Sequence, residues 1–188
     1  VKASVGVLSG SVVFEPAVRR DDQGFVVCSF DAEIAFAAGM DCRQFVQETQ
    51  TRTVRGGVRG LHAGTDGGVG YLVHCAHGAV VDAAVDLRPA SPTYRSWMTV
   101  VLDDIDHRSV WLPAGLAHGY QALTPTADVC CRGNRIQRPE YEVTIRYDDP
   151  DLDIPWPLPV TGLSGRDAAA PDLAVVEPML DEWFGAVQ

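Results

Sequence analysis

The strongest constraint on the fold is the way glycine and proline cut the chain into short pieces. Eighteen glycines and twelve prolines are spread along 188 residues. Between them lie SVVFEP, GFVVCSF, GYLVHCAHGAVVDAAVDL, SWMTVVL, SVWLP, ADVCCRG and YEVTIRY, runs rich in β-branched and aromatic side chains. Runs of this length bounded by Gly, Pro and Asp turns predict an all-β sandwich or barrel. AEIAFAAG is the one early helical segment, ended by Gly39, and the stretch from about Pro171 to Phe184 has room for another helix. DDPDLDIPWPLP has no strong period. It reads as a surface loop anchored by Trp156, with its acids as a solvated rim.

Charge and cysteine usage narrow the class. The formal net charge of -10 argues against sequence-blind nucleic-acid binding and against an anionic membrane surface. No apolar run is long enough to span a bilayer, and the opening VKASVGVLSG lacks a signal-peptide pattern. The five cysteines have no regular spacing and no CxxC, which points to reduced thiols and a cytoplasmic protein. In DVCCRG the adjacent Cys130 and Cys131 face opposite sides of a strand. His74 and His77, three apart on a strand, also face opposite sides, so the expectation is no metal site there.

Four stretches carry more information: RGLH (Arg59 to His62), DAAVDLRPASPTY (Asp82 to Tyr94), VWLPAGLAHGYQAL (Val110 to Leu123), and DDPDLDIPWPL followed by LSGRDAAAP. In this order and spacing they resemble the dTDP-4-dehydrorhamnose 3,5-epimerases and their relatives in deoxysugar biosynthesis, from about Gly6 to about Leu173. The resemblance implies a cupin-type jelly-roll barrel with a few short helices. On that basis residues 1–188 form one domain, with a jelly-roll core at about 6–147 and a C-terminal loop and helical segment at about 148–188. It further implies a homodimer that exchanges N-terminal strands, a dTDP-sugar substrate, and no metal or redox cofactor.

The implied chemistry is proton abstraction beside a ketone, passage through an enolate, and return of a proton on the opposite face. His62 matches the base, a role suited to a group that titrates near neutrality. By spacing alone it reads rather as a polar core residue at a strand end. Asp167, in LSGRD, matches the carboxylate that orients and charges that histidine. Arg59 matches a diphosphate contact, for which a planar guanidinium is well shaped. Gln47, Thr49, Gln23, Phe25, His118 and Arg166 fall at further positions the resemblance assigns to substrate binding. His118 reads equally as a satisfied structural histidine.

The chain departs from the pattern at the reacting centre. The acid of relatives is a tyrosine thirteen residues after the histidine of AHG, and that count from His118 lands on Cys131. A lysine of relatives, near the enolate oxygen, corresponds to Tyr71 in GYLV. Gln23, Cys28 and Thr49 stand where relatives carry an arginine, a glutamate and an asparagine. Cys131 is either the acid or a small buried residue, and Tyr71 is either an alternative acid or a hydrogen-bond donor to the enolate. The expectation is an epimerase of a dTDP-4-keto-6-deoxyhexose, acting at one carbon or slowly at a second. A keto-isomerase on another carbonyl compound and an inactive binding homologue are the alternatives.

Overall fold

The structure is a computed structural model and describes residues 1–40, 45–65 and 68–185. The strands are Lys2–Val5 (β1), Val12–Glu15 (β2), Val18–Asp21 (β3), Gly24–Val27 (β4), Gln47–Val54 (β5), Val58–Gly64 (β6) and Tyr71–His77 (β7). They continue with Ala79–Asp86 (β8), Trp97–Asp103 (β9), Ser109–Leu112 (β10), Leu116–Ala122 (β11), Thr126–Gly133 (β12) and Glu142–Thr144 (β13). Short helices cover Ala32–Ala37 (α1), Gly165–Ala168 (α2), Leu173–Val176 (α3) and Leu180–Phe184 (α4).

The strands form a six-stranded sheet, ordered β1-β2-β10-β7-β12-β5, a five-stranded sheet, ordered β13-β6-β11-β8-β9, and a separate β3-β4 hairpin. Every pairing between named strands is antiparallel. The two large sheets face each other across one core. Tyr71, Val73, Val110 and Val129 from the first meet Val80, Ala84, Leu116 and Tyr120 from the second. The outer face of the five-stranded sheet is covered by the C-terminal segment, where Leu152, Ile154, Leu173, Leu180 and Phe184 pack on Leu61, Val85 and Ala117.

Each apolar run of the sequence contributes a strand, but five strands, β1, β3, β5, β6 and β11, lie outside those runs. β5, QETQTRTV, is the longest of them and lines the core rim with threonines rather than aliphatics. The N-terminal helix begins where Asp31 accepts hydrogen bonds from the Glu33 and Ile34 amides, an N-cap of the usual kind. The solvated-rim reading of the DDPD loop needs correction at Asp149. This carboxylate is buried and accepts bonds from the Asp151, Leu152 and Leu173 amides, so it ties the loop to α3. Trp156 does anchor the segment, donating through Nε1 to the Tyr147 carbonyl at 2.8 Å. Cys28, Cys75, Cys130 and Cys131 are free thiols, and Cys42 lies outside the described residues.

Candidate active site

RGLH is placed by a break in strand register. His118 of β11 pairs with His62 of β6, while Tyr120 pairs with Arg59, so β6 carries one extra residue between the two pairs. In a regular strand Arg59 and His62 would face opposite ways. The bulge restores both to one face. Gly60 makes it possible: its φ is 113°, and a Cβ there would sit 2.5 Å from the Gly119 Cα and 2.7 Å from the His118 carbonyl oxygen.

Arg59, His62, His118 and Tyr120 from the five-stranded sheet face Thr49, Thr51, Tyr71 and Cys131 from the six-stranded sheet across a cleft of about 180 Å³. Ser164, Asp167, Gln137 and Glu142 complete its lining. An adjoining groove of about 350 Å³, lined by Val46, Val69, Ile136 and Tyr141, shares Gln137 and Glu142 with the cleft.

His62 Nε2 lies 2.7 Å from Asp167 Oδ1. The LSGRD sequence explains the placement of the carboxylate. Ser164 caps α2 by accepting from the Asp167 amide and donates its hydroxyl to Asp167 Oδ2 at 2.8 Å. Burial alone would raise the Asp167 pKa. Bonds from His62 and Ser164, the His62 charge and the Gly60 amide outweigh it and hold the carboxyl below its ordinary value. With Nε2 committed to Asp167, the other ring nitrogen is left to the cleft. The Glu142 Oε1 lies 3.6 Å from Nδ1, too far for a hydrogen bond.

The opposite wall is less polar. Cys131 packs against the interior cluster on the same face as Val129, while the buried Cys130 points away. Burial first, then the charges of Asp82, Cys130 and Glu48, push the Cys131 thiol far up. Burial, with the charges of Glu142 and Cys131, also raises the Tyr71 phenol. Both groups therefore keep their protons at neutral pH and release them reluctantly. The Tyr71 ring lies 5.3 Å from that of His118.

Of the residues singled out from sequence, His62, Asp167, Cys131, Tyr71, Arg59, Thr49 and His118 come together around this cleft. Gln47 does not line it, and instead accepts a hydrogen bond from the Gln137 amide at 2.7 Å. Arg166 is turned onto Glu142, donating to its carboxylate at 2.6 Å and to its carbonyl oxygen at 2.9 Å. Gln23 and Phe25 sit on the exposed β3-β4 hairpin, where the Phe25 ring lies tilted against His107 with centroids 4.5 Å apart rather than entering the cleft of its own chain. Arg59 stands exposed at the mouth, its Nε donating to Thr53 Oγ1 at 3.0 Å.

Glu142 and Asp82 were missed by sequence reasoning. Glu142 binds Gln137 Nε2 and Arg166 as well as facing His62. Its position two residues before Thr144, the β13 partner of His62, is the only hint that the strand text contains. Asp82 lies beneath the cleft with Oδ2 3.2 Å from His118 Nδ1.

The family profile described as dTDP-4-dehydrorhamnose 3,5-epimerase matches residues 6–175. The chain belongs to this family. A relative from Methanothermobacter thermautotrophicus named dTDP-4-dehydrorhamnose 3,5-epimerase is 39% identical over 151 residues, 80% of this chain and 81% of the relative. A 3,5-epimerase from Legionella pneumophila, solved in complex with dTDP-4-keto-L-rhamnose, superposes with a TM-score of 0.89 at 36% identity, covering 95% of this chain and 96% of that one. A 3'-monoepimerase from Streptomyces bikiniensis, solved with dTDP-quinovose, gives a TM-score of 0.86 at 31% identity, covering 93% and 89%. The fold of this family member is accordingly a cupin-like jelly roll, and its relatives are sugar-nucleotide epimerases.

Proposed function

We propose that the chain epimerises a dTDP-4-keto-6-deoxyhexose at a single carbon beside the ketone, as a cytoplasmic step in deoxysugar biosynthesis. The observation that carries this reading is the 2.7 Å His62–Asp167 pair opening onto the cleft. His62 Nδ1 removes the carbon-bound proton, and the C–H electron pair moves into the enolate. Asp167, kept ionised, stabilises the imidazolium that results. Reprotonation on the opposite face falls to Cys131: its S–H proton passes to carbon, and the thiolate recovers a proton from solvent. A thiol so strongly disfavoured as an anion is a slow donor. That weakness supports one inversion rather than two.

Arg59 at the cleft mouth fits the diphosphate, and the adjoining apolar groove fits the nucleoside. A homodimer is part of the same proposal. Val5, Val7, Phe25 and Val26 are exposed in the N-terminal segment, apolar surface that a second copy would cover. It would also give Gln23 and Phe25 a site to enter.

The test is incubation with the 4-keto sugar nucleotide in heavy water, followed by NMR of the sugar. Deuterium uptake with inversion at one carbon is expected. Uptake at both C3 and C5 with double inversion would make the chain a 3,5-epimerase, and no uptake at either position would sink the epimerase reading.

A further inference from the structure

β5 carries threonine at every second position, and the three differ in depth. Thr49, Thr51 and Thr53 share the inward face of the strand, and run in that order from exposed to half-buried to buried. Thr49 and Thr51 line the cleft, whereas Thr53 does not and is 7% exposed. A buried hydroxyl needs partners, and Thr53 finds both on the facing sheet. Its Oγ1 accepts from Arg59 Nε at 3.0 Å and lies 3.1 Å from the Tyr120 hydroxyl. Arg59 and Tyr120 are cross-strand neighbours on β6 and β11. One threonine of the six-stranded sheet therefore bridges to a residue pair of the five-stranded sheet.

The methyl group of Thr53 explains why its hydroxyl points this way. Gly57 leaves space for it: a Cβ on Gly57 would stand 2.8 Å from Thr53 Cγ2. A β-branched side chain has few χ1 choices, so seating the methyl against Gly57 settles the direction of Oγ1. A guanidinium can only donate, and a hydroxyl oxygen that accepts its Nε–H still has capacity for Tyr120 in either direction.

The consequence falls on Arg59. A long side chain exposed at the cleft mouth samples many rotamers, and binding has to freeze them. Donation from Nε fixes the plane of the group in advance. It leaves available the Nη1–Nη2 edge, whose parallel N–H donors match two oxygens of one phosphate. We propose that Thr53 is a positioning residue, which holds the Arg59 guanidinium from the opposite sheet for end-on capture of one phosphate of a nucleoside diphosphate. The hydroxyl acts through Arg59 and does not touch the ligand, and Tyr120 steadies the hydroxyl in turn.

This role rests on the reading of Arg59 as the diphosphate contact, so the first test uses no nucleotide. NMR of arginine-labelled protein reads the Arg59 Nε–H, assigned by its loss in Arg59→Lys. Exchange with water about tenfold slower than at unbonded surface arginines is expected. Thr53→Val, which keeps the shape and the methyl contact, is expected to abolish that protection. An unprotected Arg59 Nε–H in the parent overturns the proposal whether or not the variant folds.

The second test is calorimetry with dTDP. Thr53→Val is expected to weaken binding by about tenfold, the worth of one hydrogen bond, and Thr53→Ser to recover to within about threefold of the parent. In an Arg59→Ala background the same Thr53→Val change is expected to alter affinity by less than about twofold, since nothing is left for it to act through. A loss that persists undiminished in that background marks Thr53 as merely structural and overturns the proposal. With the 4-keto sugar nucleotide the loss should fall on KM, with kcat within about threefold of the parent. A loss confined to kcat also overturns it. Equal dTDP affinity of the parent and Arg59→Ala overturns the diphosphate reading of Arg59 itself, and the proposal with it.

Discussion

Two histidine–aspartate pairs flank one cleft, and the same two residue types do different things in them. Asp167 is supplied with bonds from His62, Ser164 and the Gly60 amide, and is held ionised. Asp82 has His118 alone and an orphaned oxygen, and is held toward the neutral acid. In the mechanism we propose, the first pair accepts a proton and stabilises the resulting charge. The second is buried where a charged carboxylate is disfavoured. The number of donors around the carboxylate decides between these outcomes.

The largest test of this contrast is on the first pair. His62→Ala should slow heavy-water exchange by about 10³–10⁴-fold, and Asp167→Asn by about 10²–10³-fold, with dTDP affinity by calorimetry close to that of the parent. Equal small losses for both would mean that the first pair is not the base. Next comes the facing wall. Cys131→Ala should leave exchange within about threefold of the parent but cut inversion by about 10²-fold, because His62 can return deuterium to the face it came from. Inversion at the parental rate would remove Cys131 from the mechanism.

A subtler distinction lies in stability against pH. The folded pKa of Asp167 is depressed, so its stabilising contribution is present above the ordinary carboxyl value of about 3.9 and is lost as pH falls through the folded value. Asp167→Asn should therefore cost most at pH 7, and the gap should close in acid. The folded pKa of Asp82 is raised, so its contribution is present below about 3.9 and is lost as pH rises toward the folded value. Asp82→Asn should gain on the parent as pH rises. Urea titrations at several pH values read both slopes, and slopes of the same sign would erase the contrast. The smallest effect is expected from Tyr71→Phe, which should alter exchange by less than about threefold while preserving the ring packed on His118.

The apolar strands and the His62–Asp167 pair were legible in the sequence, because alternation and the RGLH and LSGRD motifs are local signals. β5 was not, since QETQTRTV turns threonines to the cleft and charged residues to solvent and never displays an aliphatic face. Asp82 was hidden for the opposite reason. Within DAAVDL nothing separates a buried acid from a surface one, and its partner His118 lies 36 residues away. Glu142 likewise acquires meaning only when β13 pairs with β6 and Arg166 folds over it. Long-range pairing and desolvation, the two causes at work in these sites, are absent from any short stretch of sequence.

The approach of Gly60 to Gly119 has a consequence for how such a site can vary. The strands bearing both histidines meet there backbone to backbone, with no room for even a methyl group. The gauge between the two histidines is thus set by main-chain atoms, not by the neighbours of either ring. Side chains on the facing sheet can be exchanged, a phenol for a thiol or an ammonium for a phenol, without moving that gauge. New stereochemical outcomes are therefore open to change on one wall of the cleft while the other stays in calibration.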